Sequence, residues 1–336
     1  MTQQIPIFLA SDDNYAPFVA TTITSIVKNT TSFINFYVLD GGIVEWNKQK
    51  IQSIQSDFKN FSVEFVDMGK CGLERFPNLN HYSVNTFSRY FIPELKPDLD
   101  KILYLDIDII VKGDIAQLYN QEMNDYPIAA ILEDFYPENY KYLKQICPNY
   151  DGGSNYFNAG VLLISLDYFR KNNITQQLID TTVKLKDLIR CADQDILNFV
   201  FANNFKILDY KFDFMPDHKD YIYKLGKKEA IGAIDNHVLI HYTGRKPWNT
   251  MQAENAQDFW DVAKLTPFYK ELKTALDIKS KADCYDEYLK KIVLKKLTCN
   301  YKRYKVFSKL FIGGKRKRYK QKALEVKNKI DLLTGQ

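Results

Sequence analysis

Apolar residues fall along this chain in short clusters whose spacing alternates between that of strands and that of helices. Ile5-Pro-Ile-Phe-Leu-Ala10 predicts a first strand, ending in the polar turn Ser11-Asp12-Asp13-Asn14-Tyr15. A helix follows from Pro17 to Lys28, with proline in its favourable first turn. Asn35-Phe-Tyr-Val-Leu39 predicts a second strand, closed by the turn Asp40-Gly41-Gly42. Val44, Ile51, Ile54 and Phe58 mark one face of a second helix, and Ser62-Val-Glu-Phe-Val66 a third strand. Strands alternating with helices at this spacing predict an α/β domain, a parallel sheet joined by crossover helices.

Further on, Ile102, Leu103 and Leu105 predict a buried strand, and Asp106 and Asp108 follow it directly before the apolar run resumes at Ile109-Ile-Val111. Carboxylates inside such a run cost several kcal/mol unless compensated, and a divalent cation compensates them well. In extended backbone, residues i and i+2 point the same way, so both oxygens could reach one ion. The bland alternative is two acids in a turn or at a helix N-terminus. Pro127 to Leu132 predicts another strand, ending in Glu133-Asp134. Phe135 to Tyr156 reads as a Tyr- and Asn-rich loop, long enough for a functional lid. Phe157-Asn158-Ala159-Gly160 then opens the strand Val161 to Ser165, and Ile174, Leu178, Thr182, Leu185 and Leu188 pattern as a helix. Asp193-Gln194-Asp195 precedes the helix Ile196 to Phe201, where Asp193 reads by default as a cap. The strand Val238-Leu-Ile240 leads into His241-Tyr-Thr-Gly-Arg-Lys-Pro-Trp248.

Composition narrows the class. With 336 residues, 46% hydrophobic and 14% aromatic, the chain can build a substantial core. No apolar run approaches the roughly 18 residues of a membrane span, and the first ten residues lack the basic start of a secretory signal. Five scattered cysteines form no CxxC, the expectation for reduced thiols in a cytoplasmic protein. The net charge of +5 conceals an asymmetry: 14 of the 46 basic residues lie between Lys290 and Lys322, with no acid among them. The remaining 32 face all 41 acidic residues, so the body is acidic and the tail basic.

In open α/β sheets, ligands lie beyond the carboxyl ends of the strands. Neither G-x-G-x-x-G after the first strand nor a P-loop occurs, so no glycine-rich loop cradles a phosphate. The acidic turn at Asp12-Asp13 suits donors on a base or ribose and would repel a diphosphate. A metal held by Asp106 and Asp108 would then carry the phosphates. A lone histidine is more often structural than a ligand, but His241, at a strand end beside a glycine and a lysine, would make a set of two carboxylates and an imidazole. That set suits Mn²⁺ better than an all-oxygen Mg²⁺ site, though Mg²⁺ remains possible.

Together these stretches resemble the family 8 glycosyltransferases, particularly the bacterial lipopolysaccharide and lipooligosaccharide galactosyl- and glucosyltransferases. The matching blocks are Ala10 to Tyr15, Tyr104 to Val111, Tyr156 to Leu163, Asp193 to Asn198, and His241 to Gly244 with Lys246 to Trp248. They occur in the family's order and cover roughly residues 5 to 265. The resemblance implies a GT-A type, Rossmann-like, mostly parallel sheet flanked by helices over 1–265, with a helical, basic C-terminal region over 266–336. It implies retaining transfer of galactose or glucose from a UDP-hexose, with Mn²⁺, to a lipid-linked core oligosaccharide at the cytoplasmic face of the inner membrane. Asp106, Asp108 and His241 would be the metal ligands. Asp12, Asn14 and Tyr15 would hold the uracil and ribose, Ala10 and Ile107 would also contact the donor, and Gly244 and Lys246 would contact the diphosphate. Arg89, Asn158, Ala159 and Gly160 would surround the donor sugar, with Asp134, Asp193 and Gln194 at its reacting face. One departure is visible: only Arg245 separates Gly244 from Lys246, a shorter segment than expected of close relatives.

In the tail, Tyr301, Tyr304, Phe307 and Phe311 fall on one helical arc beside Lys302, Lys305 and Lys309. Adjacent aromatic and basic faces suit an interfacial helix on anionic lipid, although the aromatics could equally dock on the catalytic domain. Nucleic acid is not an expected partner, because no recognised module accompanies the charge. Two other functions compete. A metal-dependent phosphatase or nucleotidyltransferase would also place D-x-D after a strand. A non-catalytic sugar-nucleotide-binding protein would keep the fold without the chemistry.

Overall fold

A computed structural model describes residues 2–69, 71–77, 84–133, 136–148 and 150–334. Seven strands form the main sheet: β1 Gln4–Ser11, β2 Phe33–Asp40, β3 Phe61–Asp67, β4 Lys101–Leu105, β6 Ile128–Ala130, β7 Val161–Ser165 and β8 Lys206–Ile207. A second sheet pairs β5 Ile109–Val111 with β9 Leu239–His241. The main sheet runs in the order β3-β2-β1-β4-β7-β6-β8. The first four of these strands are parallel, whereas β7 runs antiparallel to both β4 and β6. The sheet is therefore mostly parallel, as expected, with β7 as its antiparallel member.

Chain order reverses beside β1: β2 lies on one flank, and β4, reached after β3, on the other. That is a topological switch point, where the two connections diverge and leave a crevice at the carboxyl edge. Ile7 and Phe8 of β1 stand opposite Leu103 and Tyr104 of β4, so Asp12 and Asp106 leave adjacent strands at the same edge. Ile5, Ile7, Leu9, Ile102, Leu103 and Leu105 are fully buried, consistent with layers on both faces.

The helix Ala16–Val27 is buried almost throughout, so its Thr and Ser side chains must find partners within the protein. They find them in the segment that carries the paired acids. Thr22 Oγ1 lies 3.0 Å from both Ile107 O and Ile109 O, and Val111 N donates to Ser25 Oγ at 3.0 Å. Asn29, just past the helix, donates to Val111 O at 2.8 Å. The first helix thus clamps the backbone between β4 and β5. In the middle of the chain, the stretch expected to be one long loop contains the helix Pro137–Ile146. Proline in its first turn and buried Leu143 account for it.

Residue contacts divide the chain into two units, Met1–Leu272 and Lys273–Gln336. The second comprises most of the helix Tyr269–Leu310 together with the helix Gly313–Thr334. Tyr304, Phe307 and Phe311 surround Tyr319 of the following helix, with centroid distances of 6.3, 5.2 and 5.4 Å. Most of the aromatic arc is therefore engaged within the tail. The turn between the helices exposes Leu310 (68%) and Ile312 (88%) next to Lys315, Arg316, Lys317 and Arg318. No helix among the described residues is long and apolar enough to cross a membrane.

Candidate active site

At the carboxyl edge of β1 and β4 lies an open cleft of about 790 Å³. Ala10, Asp12, Tyr15, Arg89, Asp106, Ile107, Asp108, Asn158, Ala159, Gly160, Asp193, Gln194, His241 and Lys246 all line it. Asn14 and Gly244 do not. Asn14 sits in the short turn Asp13–Tyr15, where its backbone N donates to Asp12 Oδ1. Gly244 packs against Asp217, whose Oδ2 would lie 2.2 Å from an added Cβ. Arg245 turns to the same carboxylate, its Nη2 3.1 Å from Asp217 Oδ1, which takes its charge out of the cleft. Asp134 lies outside the described residues.

One end of the cleft is aromatic. Trp248 stacks on Phe18 at 4.1 Å, and Tyr15, 45% exposed, meets the edge of the same ring. At the centre, β9 delivers His241 to Asp108 because Ile109 and His241 are cross-strand partners and Tyr242 N donates to Asp108 O at 2.9 Å. One ligand atom from each of Asp106, Asp108 and His241 lies within 4.8 Å of the others. His241 Nε2 is 3.1 Å from Asp108 Oδ1 and 3.9 Å from Asp106 Oδ2. Lys246 Nζ is 2.6 Å from Asp108 Oδ2 and also donates to Tyr242 O.

Two features test whether these residues fit a divalent cation. Asp108 Oδ1 is buried and accepts no hydrogen bond. Gly160 also leaves the ligand atoms room, since an added Cβ would sit 2.3 Å from His241 Cε1 and 2.8 Å from Asp106 Oδ2. The donor set, two carboxylates and an imidazole with a small residue beneath, fits such an ion. Electrostatics agree. Burial alone would raise the Asp108 pKa, but Lys246 and His241 outweigh it and hold the carboxyl well below its usual range. Burial would lower the His241 pKa, yet Asp108 and Asp213 drive it well above normal, so this imidazole sits in a strongly cation-attracting place.

The other end is polar and buried. Arg89, 5% exposed, lies over the Tyr104 ring at 3.9 Å. Its Nε pairs with Asp193 Oδ2 at 2.9 Å, and its Nη2 with Asp106 Oδ1 at 3.2 Å. Asp193 is not a cap: its Oδ1 accepts from Thr86 Oγ1 at 2.6 Å, while Cys191 holds the N-cap position of the helix Ala192–Val200. Asp195 does the capping work instead, its Oδ2 accepting from Arg190 N and Cys191 N at 2.8 and 2.9 Å. Those bonds hold the turn in which buried Ala192 takes a left-handed φ of 47°. Burial raises the Asp193 pKa to about 6 against the opposing charge of Arg89.

Sequence reasoning singled out Asp134 and not its neighbour Glu133, a further carboxylate of the cleft. Glu133 is buried and lines the cleft. Its Oε2 accepts from Gln194 Nε2 at 2.7 Å and Asn158 Nδ2 at 3.3 Å, and its Oε1 from Asn139 Nδ2 at 3.3 Å. Burial raises its pKa to about 7, with the Gln194 and Asn158 hydrogen bonds pulling the other way. Gln194 is thereby fixed: its Nε2 faces Glu133 and Tyr156, and its Oε1 accepts from Ala159 N at 2.9 Å.

The sequence profile of glycosyl transferase family 8 matches residues 6–252. A Haemophilus influenzae protein with a provisional glycosyltransferase name is 32% identical over 252 residues, 74% of each chain. Lipopolysaccharide 1,2-glucosyltransferase of Escherichia coli is 28% identical over 268 residues, 76% of this chain and 77% of its own. The matched stretch spans only 34% of glycosyltransferase GlyA of Streptococcus pneumoniae, so some relatives are much longer. Among solved structures, galactosyltransferase LgtC with donor and acceptor sugar analogues superposes with a TM-score of 0.66 at 29% identity, covering 78% of this chain and 96% of that one. The bifunctional glycosyltransferase WbbM, at 24% identity and a TM-score of 0.71, shares the fold over 82% of this chain and 52% of its own. Sheet, cleft and neighbours are those of a GT-A fold. With the profile covering most of its length, this chain belongs to glycosyl transferase family 8.

Proposed function

We propose that the protein transfers galactose or glucose from a UDP-hexose to a hydroxyl of a lipopolysaccharide or lipooligosaccharide core, with retention and with Mn²⁺ at Asp106, Asp108 and His241. The observation that carries this reading is the convergence of those ligands beside Lys246 in one cleft, between the aromatic end and the buried Arg89–Asp193–Gln194–Glu133 cluster. Similarity to an E. coli lipopolysaccharide glucosyltransferase and to galactosyltransferase LgtC supports the substrate class.

In this reading, Tyr15 and the Phe18–Trp248 stack receive the uracil, and Asp12 accepts hydrogen bonds from the nucleoside. The ion, when bound, would act as a Lewis acid on the diphosphate. Lys246 uses two of its three donors on Asp108 and Tyr242, and the third serves the leaving oxygen. Arg89, Asp193, Asn158 and Glu133 bind and orient the hexose. As the bond from the anomeric carbon to the phosphate oxygen breaks, the carbon becomes oxocarbenium-like. Gln194 meets it as an amide, a poor nucleophile, pinned at both ends. The acceptor hydroxyl therefore attacks from the face that the diphosphate leaves, and its proton passes to the departing phosphate oxygen. Asp193 and the Gln194 amide support the positive charge.

The tail supports a peripheral site on anionic lipid, through the exposed Leu310–Ile312 turn set among basic residues. Deletion after Ala282 should abolish low-salt association with vesicles containing phosphatidylglycerol, and undiminished association would exclude this attachment. The donor is tested by thermal shift. A UDP-hexose should raise the melting temperature in Mn²⁺ and fail to do so with EDTA. No shift with any UDP-hexose, or an equal shift in Asp108→Ala, would refute the assignment.

A further inference from the structure

His241 has two ring nitrogens, and only one can hold a metal ion while the other carries a proton. Nε2 faces Asp108 and Asp106; Nδ1 lies 2.9 Å from Asp213 Oδ1. The Asp213 side chain is completely enclosed, and its Oδ2 has no hydrogen-bond partner. A buried carboxylate with one oxygen unsatisfied is costly, so its presence calls for an explanation.

The backbone fixes Asp213 to the metal strand. Phe214 forms a bridge with Ile240 of β9, His241 N donates to Phe214 O at 2.8 Å, and Phe214 N donates to Leu239 O at 3.3 Å. Asp213 is thus held in register with His241 and cannot drift from it. Its Oδ1 stands as an acceptor 2.9 Å from Nδ1, the geometry that places the imidazole proton on that nitrogen. Nε2 is then the ring nitrogen left to face an ion, 3.1 Å from the buried Asp108 Oδ1. Two acceptor atoms 3.1 Å apart suit a shared cation. Without Asp213, the opposite tautomer would place a proton on Nε2. A direct Nε2–H···Oδ1 hydrogen bond would then occupy both ligand atoms at once.

We infer that Asp213 is the positioning residue of the metal centre: it completes a carboxylate–histidine–metal relay that fixes the His241 tautomer and keeps Nε2 and Asp108 Oδ1 available to the ion. The inference rests on the proposed metal site and adds to it a third carboxylate that acts on the ion only through His241. Partners of this kind typically change metal affinity by about 10- to 100-fold.

The test uses the full chain and Mn²⁺ alone, with binding followed by calorimetry and by electron paramagnetic resonance of the free ion. Asp213→Asn and Asp213→Ala should weaken Mn²⁺ binding at least tenfold, while melting temperatures in EDTA stay within a few degrees of the wild type. Wild-type affinity in both variants would overturn the inference. Asp108→Ala separates the two levels. If the wild type binds no better than Asp108→Ala, the metal site itself is wrong. If Asp108→Ala loses binding and the Asp213 variants keep it, only the relay is wrong. Should the Asp213 variants fail to fold, nitrogen-15 spectra of the wild-type histidines with Mg²⁺ decide the matter. A proton on Nδ1 of His241 supports the relay, and a proton on Nε2 overturns it.

Discussion

Gly160→Ala is the most informative single perturbation, because it adds one methyl group at the centre of the ligand set. The new Cβ would stand 2.3 Å from His241 Cε1, 2.8 Å from Asp106 Oδ2 and 3.0 Å from Asn158 Oδ1. Carbon atoms prefer roughly 3.5 Å or more, so the imidazole must retreat by about 1 Å. Neither side yields easily. Gly160 N donates to Asn158 Oδ1 at 2.7 Å, and Gly160 O accepts from Asp106 N at 2.8 Å. His241 is tied through its backbone to Phe214 and through its ring to Asp213. Metal–ligand distances tolerate only about 0.2 Å, and a 1 Å misplacement at a reacting centre costs about 100-fold. Mn²⁺ affinity should therefore fall at least tenfold and Mn²⁺-dependent UDP release about 100-fold, or roughly 3 kcal/mol. Folding should lose about 1–3 kcal/mol from overpacking. Mn²⁺ calorimetry, a UDP-release assay and thermal melting read the three effects separately. Gly232→Ala, whose added methyl would meet nothing within 4 Å, is the control. Wild-type Mn²⁺ affinity in Gly160→Ala would refute the placement of the ion against this glycine.

Gln194→Ala should leave measurable transfer while Asp108→Ala abolishes it, since the amide positions charge and forms no bond. Equal, complete loss with donor binding intact in the Gln194 variant would favour a covalent intermediate. Glu133 has a folded pKa of about 7 against an ordinary 4.5, so the folded protein holds its proton more tightly than the unfolded chain. Its contribution to stability is full below pH 4.5 and is lost as the pH rises to 7, a change of roughly 3 kcal/mol. Glu133→Gln should flatten that part of the pH–stability curve in urea titrations, and an unchanged slope would show that Glu133 ionises normally. Arg89→Met should cost about 3–5 kcal/mol in the same assay, because it leaves buried Asp193 without its cation. A loss below 1 kcal/mol would place the Asp193 charge elsewhere.

Period and turn chemistry made the N-terminal half readable. The first three strands alternate with helices at ordinary spacing, and the first ends in the polar turn that lines the cleft. The antiparallel course of β7 was not readable, because a fully buried strand such as Val161–Ser165 carries the same apolar run in either direction. The helix Pro137–Ile146 was hidden by its two tyrosines and the Tyr- and Asn-rich stretch around it, which read as loop until Leu143 is seen to be its buried anchor. At the site, Asp106 and Asp108 stood out because acids interrupt an apolar run. Glu133 also follows a strand without standing out in the sequence, and only the fold encloses it among Gln194, Asn158 and Asn139. Asp193 looked like a cap because caps are common at that position, whereas its partner Arg89 is more than 100 positions away. Asp213 gave no signal at all, since its meaning depends on β9 lying beside it. A phenylalanine-rich stretch preceding a histidine strand could have raised it only with the pairing in hand.

The central claim is that this cleft moves a hexose from UDP with retention, through the centre built on Asp106, Asp108 and His241. Proton NMR of the reaction of UDP-galactose or UDP-glucose with a core-oligosaccharide acceptor in Mn²⁺, run on the wild type and on Asp108→Ala, tests it most directly. The account predicts a product with the donor's α configuration from the wild type and none from the variant. A β product, or transfer that persists in Asp108→Ala, would contradict it.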